Sequence, residues 1–510
     1  MGRAIMVQGT ASHVGKSVLV AALCRILAQD GVRVAPYKSQ NMALNSYVTP
    51  DGGEIGRAQA VQAEAAGVPP TVEMNPILLK PTGHASSQVI VLGRPVGNFS
   101  AHDYHNEYGP RLFATAREAL AKLMAEYEAV VIEGAGSPAE VNLMEHEIVN
   151  MRVAAAAGAP VLLVADVERG GAIAALVGTL ALLPPEDAAR VAGLVINKFR
   201  GDPSLFRPAV GFLEERTRRP VLGVLPYFHD LRIAEEDSLG VRSPGGRGGA
   251  ELDIAVLRLP HIANFTDFDP LEEEPAVHLR YVGAAAELGR PDLVIVPGSK
   301  NTIGDLAALR EKGLAAAVVG LAREGTPVVG ICGGFQMLGG RILDPLHTES
   351  ELGEAEGLGL LPMSTLFAPD KVTTLSSGEI QGRGALLGSL RGLPVAGYEI
   401  HMGRTTTAPG LGPAVRIRER AGQAADDDDG AESADGLVFG TYLHGLFDSD
   451  AFRAGFLGAL RRRKGLAGPW ERGPAFAARR QADLDALAAM VRANLDMGRV
   501  YDLLGRTGSC

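Results

Sequence analysis

Lys16 and Ser17 end the run Gly9-Thr-Ala-Ser-His-Val-Gly-Lys-Ser17, which follows a short apolar stretch and opens a helical pattern. In that context the loop N–H groups and the helix N-terminus can surround phosphate oxygens. Lys16 would carry positive charge to the terminal phosphates and Ser17 a hydroxyl to Mg2+. The spacing departs from the usual one, since five residues separate Gly9 from Gly15 and Thr10 stands where the first glycine normally lies. Gly9, Thr10, Val14, Gly15, Lys16 and Ser17 are the expected nucleotide contacts. Mg2+ also wants a carboxylate, and α/β sheets place ligands at the carboxyl ends of strands. Glu133 in Val130-Val-Ile-Glu-Gly-Ala-Gly136 fits that position, with Asp166 as a second choice. Asn197 could bond a purine edge, or serve as a turn residue at its strand end.

A second chemistry centres on Cys332. Thr326-Pro-Val-Val-Gly-Ile-Cys-Gly-Gly-Phe-Gln-Met-Leu338 reads as a strand, a cysteine flanked by glycines, and a helix, the geometry of a nucleophile elbow. Gly298, in Val296-Pro-Gly-Ser-Lys-Asn-Thr302, could pair its N–H with that of Gly333 in an oxyanion hole. Two histidines compete as the base: His444, just beyond a strand, and His401. Spacing alone does not separate them. Cys24 lies in an apolar helix and is expected to be a core residue.

These residues need a scaffold. With 510 residues, 46% of them apolar, the chain calls for two or three domains rather than one core. Apolar runs at Ala4–Gln8, Val32–Tyr37, Ala129–Glu133, Val161–Asp166, Val191–Asn197 and Val221–Leu225 alternate with helical stretches, which predicts a parallel sheet covered on both faces. The glycine-rich stretch 243–250 marks a linker between residues 1–242 and a second α/β unit over 251–450. Strands recur there at Asp253–Leu257, Leu293–Val296, Pro327–Ile331, Val395–Ile400 and Leu437–Gly440. The acidic stretch Ala424–Ala431 is expected to be a mobile loop, repelled by its own charges. Residues 451–510 are expected to be helical and to pack on the second domain. A net charge of −10 without a basic stripe argues against nucleic acid. Three widely spaced cysteines form no disulfide framework, and neither a signal peptide nor a membrane span is evident, so a cytoplasmic enzyme is expected.

In order along the chain, the phosphate loop, Pro36-Tyr-Lys-Ser-Gln-Asn-Met-Ala-Leu-Asn-Ser46, Gly53-Glu-Ile-Gly-Arg-Ala-Gln59, Asn75-Pro-Ile-Leu-Leu-Lys-Pro81, Glu133-Gly-Ala-Gly-Ser-Pro-Ala-Glu140, Asn264-Phe-Thr-Asp-Phe-Asp-Pro270, the Cys332 elbow and Gly440-Thr-Tyr-Leu-His444 resemble the cobyric acid synthase family. The resemblance implies a dethiobiotin-synthetase-like P-loop ATP domain followed by a class I glutamine amidotransferase domain. It implies Cys332 as nucleophile and His444 as base, with Gly298, Gly333 and Gln336 around glutamine, and ATP and Mg2+ in the first domain. The implied reaction is ATP-driven amidation of four carboxylates of adenosylcobyrinic acid a,c-diamide, with glutamine and a corrinoid as the partners. The alternatives are the related a,c-diamide synthase and a non-catalytic P-loop switch. Lys38, Gln40, Asn41, Asn45, Glu54 and Gln59 are the candidate substrate contacts, with Arg57 and Gln62 beside them. Leu446 stands where many triad enzymes carry a glutamate, so the third triad member has no assignment.

Overall fold

A computed structural model describes residues 2–82, 86–104, 108–228, 249–466, 468, 470 and 475–505. Most of the expected 243–250 linker lies outside them.

Six parallel strands form the first sheet, in the order Val221–Pro226, Val191–Phe199, Val161–Asp166, Arg3–Gly9, Ala129–Glu133, Val34–Tyr37. Their near-continuous apolar runs suit strands buried on both faces. Val7 pairs with Glu133, so Glu133 ends its strand beside the one that leads into Gly9. The helix Lys16–Gln29 then crosses one face and buries Leu19, Val20, Leu23, Cys24, Ile26 and Leu27. A smaller sheet of Gln40–Met42, Ile77–Pro81, Ser86–Val91 and Arg94–Ser100 belongs to the same half of the chain.

The second domain repeats the scheme. Its strands run Val277–Val282, Leu252–Leu257, Leu293–Val296, Val328–Ile331, Val438–Thr441, with Ala431–Glu432 antiparallel at the edge. Ile331 pairs with Thr441, which brings the residues just past each strand, Cys332 and His444, to one edge of the sheet. A long antiparallel hairpin, Met363–Ile380 with Pro394–Thr407, adds a further sheet. The expected strand at Val395–Ile400 is the middle of its second arm. The register shifts between Phe367 and Val372, and Lys371 sits in that irregularity. Such a bulge re-aims a side chain.

Two expectations need correction. The acidic stretch is not a loop: Gln423–Asp429 is a strand paired with Val415–Arg420. Arg416 binds Asp426 through two bonds of 2.9 and 2.8 Å and Asp428 through one of 2.5 Å, while Arg420 bonds Asp427. Cross-strand arginines thus cancel the repulsion that the sequence alone implied. The C-terminal segment also divides. Asp450–Arg463 packs Phe452, Phe456 and Leu457 into the amidotransferase core. Residues 476–504, with the helices Phe476–Asn494 and Met497–Leu503, instead contribute Leu484, Leu487, Val491, Leu495, Val500 and Leu504 to the core around Lys16–Gln29 of the first domain.

Candidate active site

Each chemistry starts at a strand end. Gly15 caps the helix in the left-handed region, with φ of 97°, and a Cβ there would lie 2.1 Å from Asn197 Nδ2. Glycine is needed on both counts. Asn197 donates to the Val14 carbonyl at 2.8 Å, so this amide supports the phosphate loop. Lys16 Nζ donates to the carbonyls of Ala11 at 3.0 Å and Gly136 at 3.1 Å, which ties the loop to the segment after Glu133. Asn150 holds that segment by accepting from Ala135 N–H and donating to the Ala135 carbonyl. Neither contact of Asn150 was foreseen.

Glu133 is fully enclosed and accepts from Ser17 Oγ at 2.8 Å, Lys38 Nζ at 2.9 Å and Gln62 Nε2 at 2.5 Å. Burial, the largest single effect, would raise its pKa, but the Lys38 charge together with the hydrogen bonds from Lys38, Gln62 and Ser17 holds the carboxyl below its ordinary range. An ionised carboxylate beside a serine hydroxyl at a phosphate loop is the hard oxygen pair that Mg2+ prefers. Gln62 Oε1, buried beside it, has no hydrogen-bond partner and could accept from a metal-bound water. The residues present therefore fit a magnesium ion. Asp166, the second choice, pairs with Lys198 at 3.0 Å and accepts from Glu168 N–H.

Cys332 has φ of 51° and ψ of −109°, a strained conformation for a side chain other than glycine. The turn is forced by crowding: a Cβ on Gly334 would lie 1.8 Å from the Val296 carbonyl oxygen. Gly298, Gly333, Gln336, Asn264, His401 and His444 line one pocket with the thiol. His444 Nδ1 donates to Asp267 Oδ2 at 2.6 Å and its Nε2 meets Asn264 Nδ2 at 3.4 Å, while the Cys332 thiol donates to the Ile400 carbonyl at 3.4 Å. Burial would lower the histidine's pKa, but the charges of Asp267 and Cys332 raise it to about 10. The ring stacks on Tyr398 at 5.1 Å, and the backbones of residues 398 and 444 exchange both of their hydrogen bonds. The rival His401 stacks on Tyr442 at 3.8 Å, donates from Nδ1 to the Gly403 carbonyl and turns Nε2 toward Glu399, 3.6 Å away.

The residue that sequence reasoning missed is Asp267, 177 positions before His444. It lies within the segment Asn264–Pro270. The available signal was an aspartate between Phe265 and Phe268, both buried, because a carboxylate in such a setting needs a partner. Leu446, where a glutamate was sought, is core.

The six candidate substrate contacts separate. Lys38 sits on Glu133, and Gln40 lines a cavity beside the phosphate loop. Asn41 donates to Gln59 at 2.9 Å inside the first domain. Asn45 accepts from Phe265 N–H at 3.1 Å, and Ser46 N–H donates to Asn264 Oδ1 at 2.8 Å, so this loop grips the second domain. Glu54 accepts from Lys80 Nζ at 2.7 Å and is also paired with Lys371 of the second domain. Burial would raise the Glu54 pKa, but the two lysines lower it well below the carboxylate range. Of the six, Asn45 and Glu54 are buried where the two domains meet, and Lys38, Asn41 and Gln59 are buried within the first domain. Cys24 is also buried, and burial followed by the Glu133 charge pushes its thiol far up, as suits a core residue.

Residues 5–241 match the family described as the CobQ/CobB/MinD/ParA nucleotide binding domain, and residues 253–452 match the CobB/CobQ-like glutamine amidotransferase domain. The chain is 58% identical to a cobyric acid synthase of Pelotomaculum thermopropionicum, covering 100% of this chain and 98% of the relative. It is 57% identical to one of Moorella thermoacetica, covering 99% and 98%. Both domains, in the same order, are thus shared along the whole chain with relatives that carry one name, and the chain belongs to the cobyric acid synthase family.

Proposed function

We propose that this enzyme amidates four peripheral carboxylates of adenosylcobyrinic acid a,c-diamide in turn, giving adenosylcobyric acid, with ATP as the driving substrate and glutamine as the nitrogen source. The observation that carries the reading is the presence, in one chain, of the Cys332–His444–Asp267 set and the Lys16–Ser17–Glu133 set, joined by the Asn45–Phe265 and Glu54–Lys371 contacts.

In the second domain Cys332 attacks the glutamine side-chain amide. His444, held by Asp267, moves the proton from the thiol to the leaving ammonia. The N–H groups of Gly298 and Gly333 are proposed to receive the oxyanion, and water then releases glutamate from the thioester. In the first domain a carboxylate, whose own oxygen leaves poorly, attacks the terminal phosphate of ATP, breaks its bond to the β-phosphate oxygen so that ADP leaves, and becomes an acyl phosphate. Lys16 and Lys38 balance the charge moved in that step. A magnesium ion at Ser17 and Glu133 would supply further charge neutralisation. Ammonia then displaces phosphate.

The test is to incubate the corrinoid with protein, glutamine and MgATP and count added amides by mass spectrometry. Four additions are expected on the a,c-diamide. Additions confined to cobyrinic acid, stopping at the a,c-diamide, would assign the earlier enzyme, and an unchanged corrinoid would overturn both readings. Cys332→Ala should abolish glutamine-driven amidation while ammonium salts still support it.

A further inference from the structure

Beside the phosphate loop lies a cavity of about 560 Å³ with mostly apolar walls, among them Met42, Leu79, Phe99, Leu143, Met144 and Ile148. Met42 is 54% exposed and Leu143 40% exposed, so two large apolar side chains stand in water where they border it. Single exposed apolar residues are ordinary, but two on the wall of an apolar cavity extend its surface. Polar groups line the cavity as well. Gly136 lines it, and the Gly136 carbonyl accepts from Lys16 Nζ at 3.1 Å. A Cβ on Gly136 would meet nothing within 4 Å, so there is open space beside the residue whose carbonyl Lys16 binds. Gln40 lines the cavity too, held by the Tyr104 hydroxyl. Two carboxylates line the cavity, Glu140 and Glu147, and Glu147 is turned into its own loop, where it accepts from the N–H groups of Val149, Asn150 and Arg152.

We propose that this cavity seats the corrin ring, its apolar face against the apolar wall and the carboxylate under amidation turned toward Lys16. The assignment rests on the corrinoid reading above. Apolar attraction follows buried area and has no preferred direction. A wall of this kind holds the macrocycle without fixing its rotation, so successive carboxylates of one ring can reach one phosphoryl site. A polar cradle would favour a single edge.

The test uses the full chain with ammonium chloride as nitrogen source and adenosylcobyrinic acid a,c-diamide as the varied substrate. Met42→Glu and Leu143→Glu are expected to raise the corrinoid KM about tenfold each, the change that about 1.4 kcal/mol of lost apolar contact gives, with little change in kcat. Met42→Leu should restore the wild-type KM. Leu205→Glu, at an exposed position outside the cavity, serves as the control for added charge. Wild-type KM in both cavity variants, with the native unfolding temperature kept, would overturn the seat while leaving the corrinoid reading intact. A wild-type protein that amidates no corrinoid would overturn the reading and the seat together.

Discussion

At the scale of single residues, Asp267 holds His444, the proposed base of the glutaminase. Its carboxylate stabilises the protonated ring of His444, whose pKa is raised from 6.5 to about 10. Asp267→Asn removes that charge and frees the ring to turn. We expect glutaminase kcat/KM to fall by about 10²- to 10⁴-fold. The alkaline limb of its pH profile should move to lower pH, because the imidazolium is no longer held; an unmoved limb would rule out this role. Stability follows the same sign. With its folded pKa raised, His444 contributes stability that is complete below pH 6.5 and is lost as pH rises toward about 10.

At the scale of elements, His444 is held by the arm Pro394–Thr407 as much as by its own strand. A Cβ on Gly397 would lie 1.9 Å from the His444 carbonyl oxygen, so the arm can approach the His444 turn only with glycine there. Gly397→Ala should push the two backbones apart and lower glutaminase activity by at least about tenfold while sparing nucleotide binding; unchanged glutaminase kinetics would refute this. The parallel strands were legible because runs such as Val161–Asp166 are apolar on both faces and keep their expected ends. The hairpin was legible only in part. Ala-Pro-Asp-Lys371 interrupts the first arm, and those residues fall in the register shift rather than ending the strand. The acidic strand was not legible from its own residues because the charges that neutralise it, Arg416, Arg418 and Arg420 at every second position, lie on the partner strand. Asp267 was hidden by distance along the chain, since no local pattern ties it to His444.

At the scale of the whole molecule, the chain crosses back on itself. After the second domain it returns to the first, where Asp485 accepts from Arg25 at 2.8 Å and Asp496 N–H donates to the Leu222 carbonyl at 2.7 Å. Leu484, Leu487, Val491, Leu495, Val500 and Leu504 are buried there. At about 1.5–3 kcal/mol for each fully buried side chain, they contribute on the order of 10 kcal/mol, comparable to the whole stability of a typical domain. A chain ending at residue 466 should therefore lose nucleotide binding and the cooperative unfolding of its first domain, read with a fluorescent ATP analogue and by calorimetry. Wild-type values for both would show the returning helices to be dispensable.

That return has a consequence for how the protein is made. Arg25 and Asp485 are 460 residues apart, which translation covers in roughly 20 to 90 s at roughly 5–20 residues per second. Throughout that interval the nascent first domain carries an uncovered apolar helix face, while the second domain has all its own strands and can close first. Folding order is then the reverse of synthesis order, and the helix Lys16–Gln29 is the segment for which a ribosome-associated chaperone would compete.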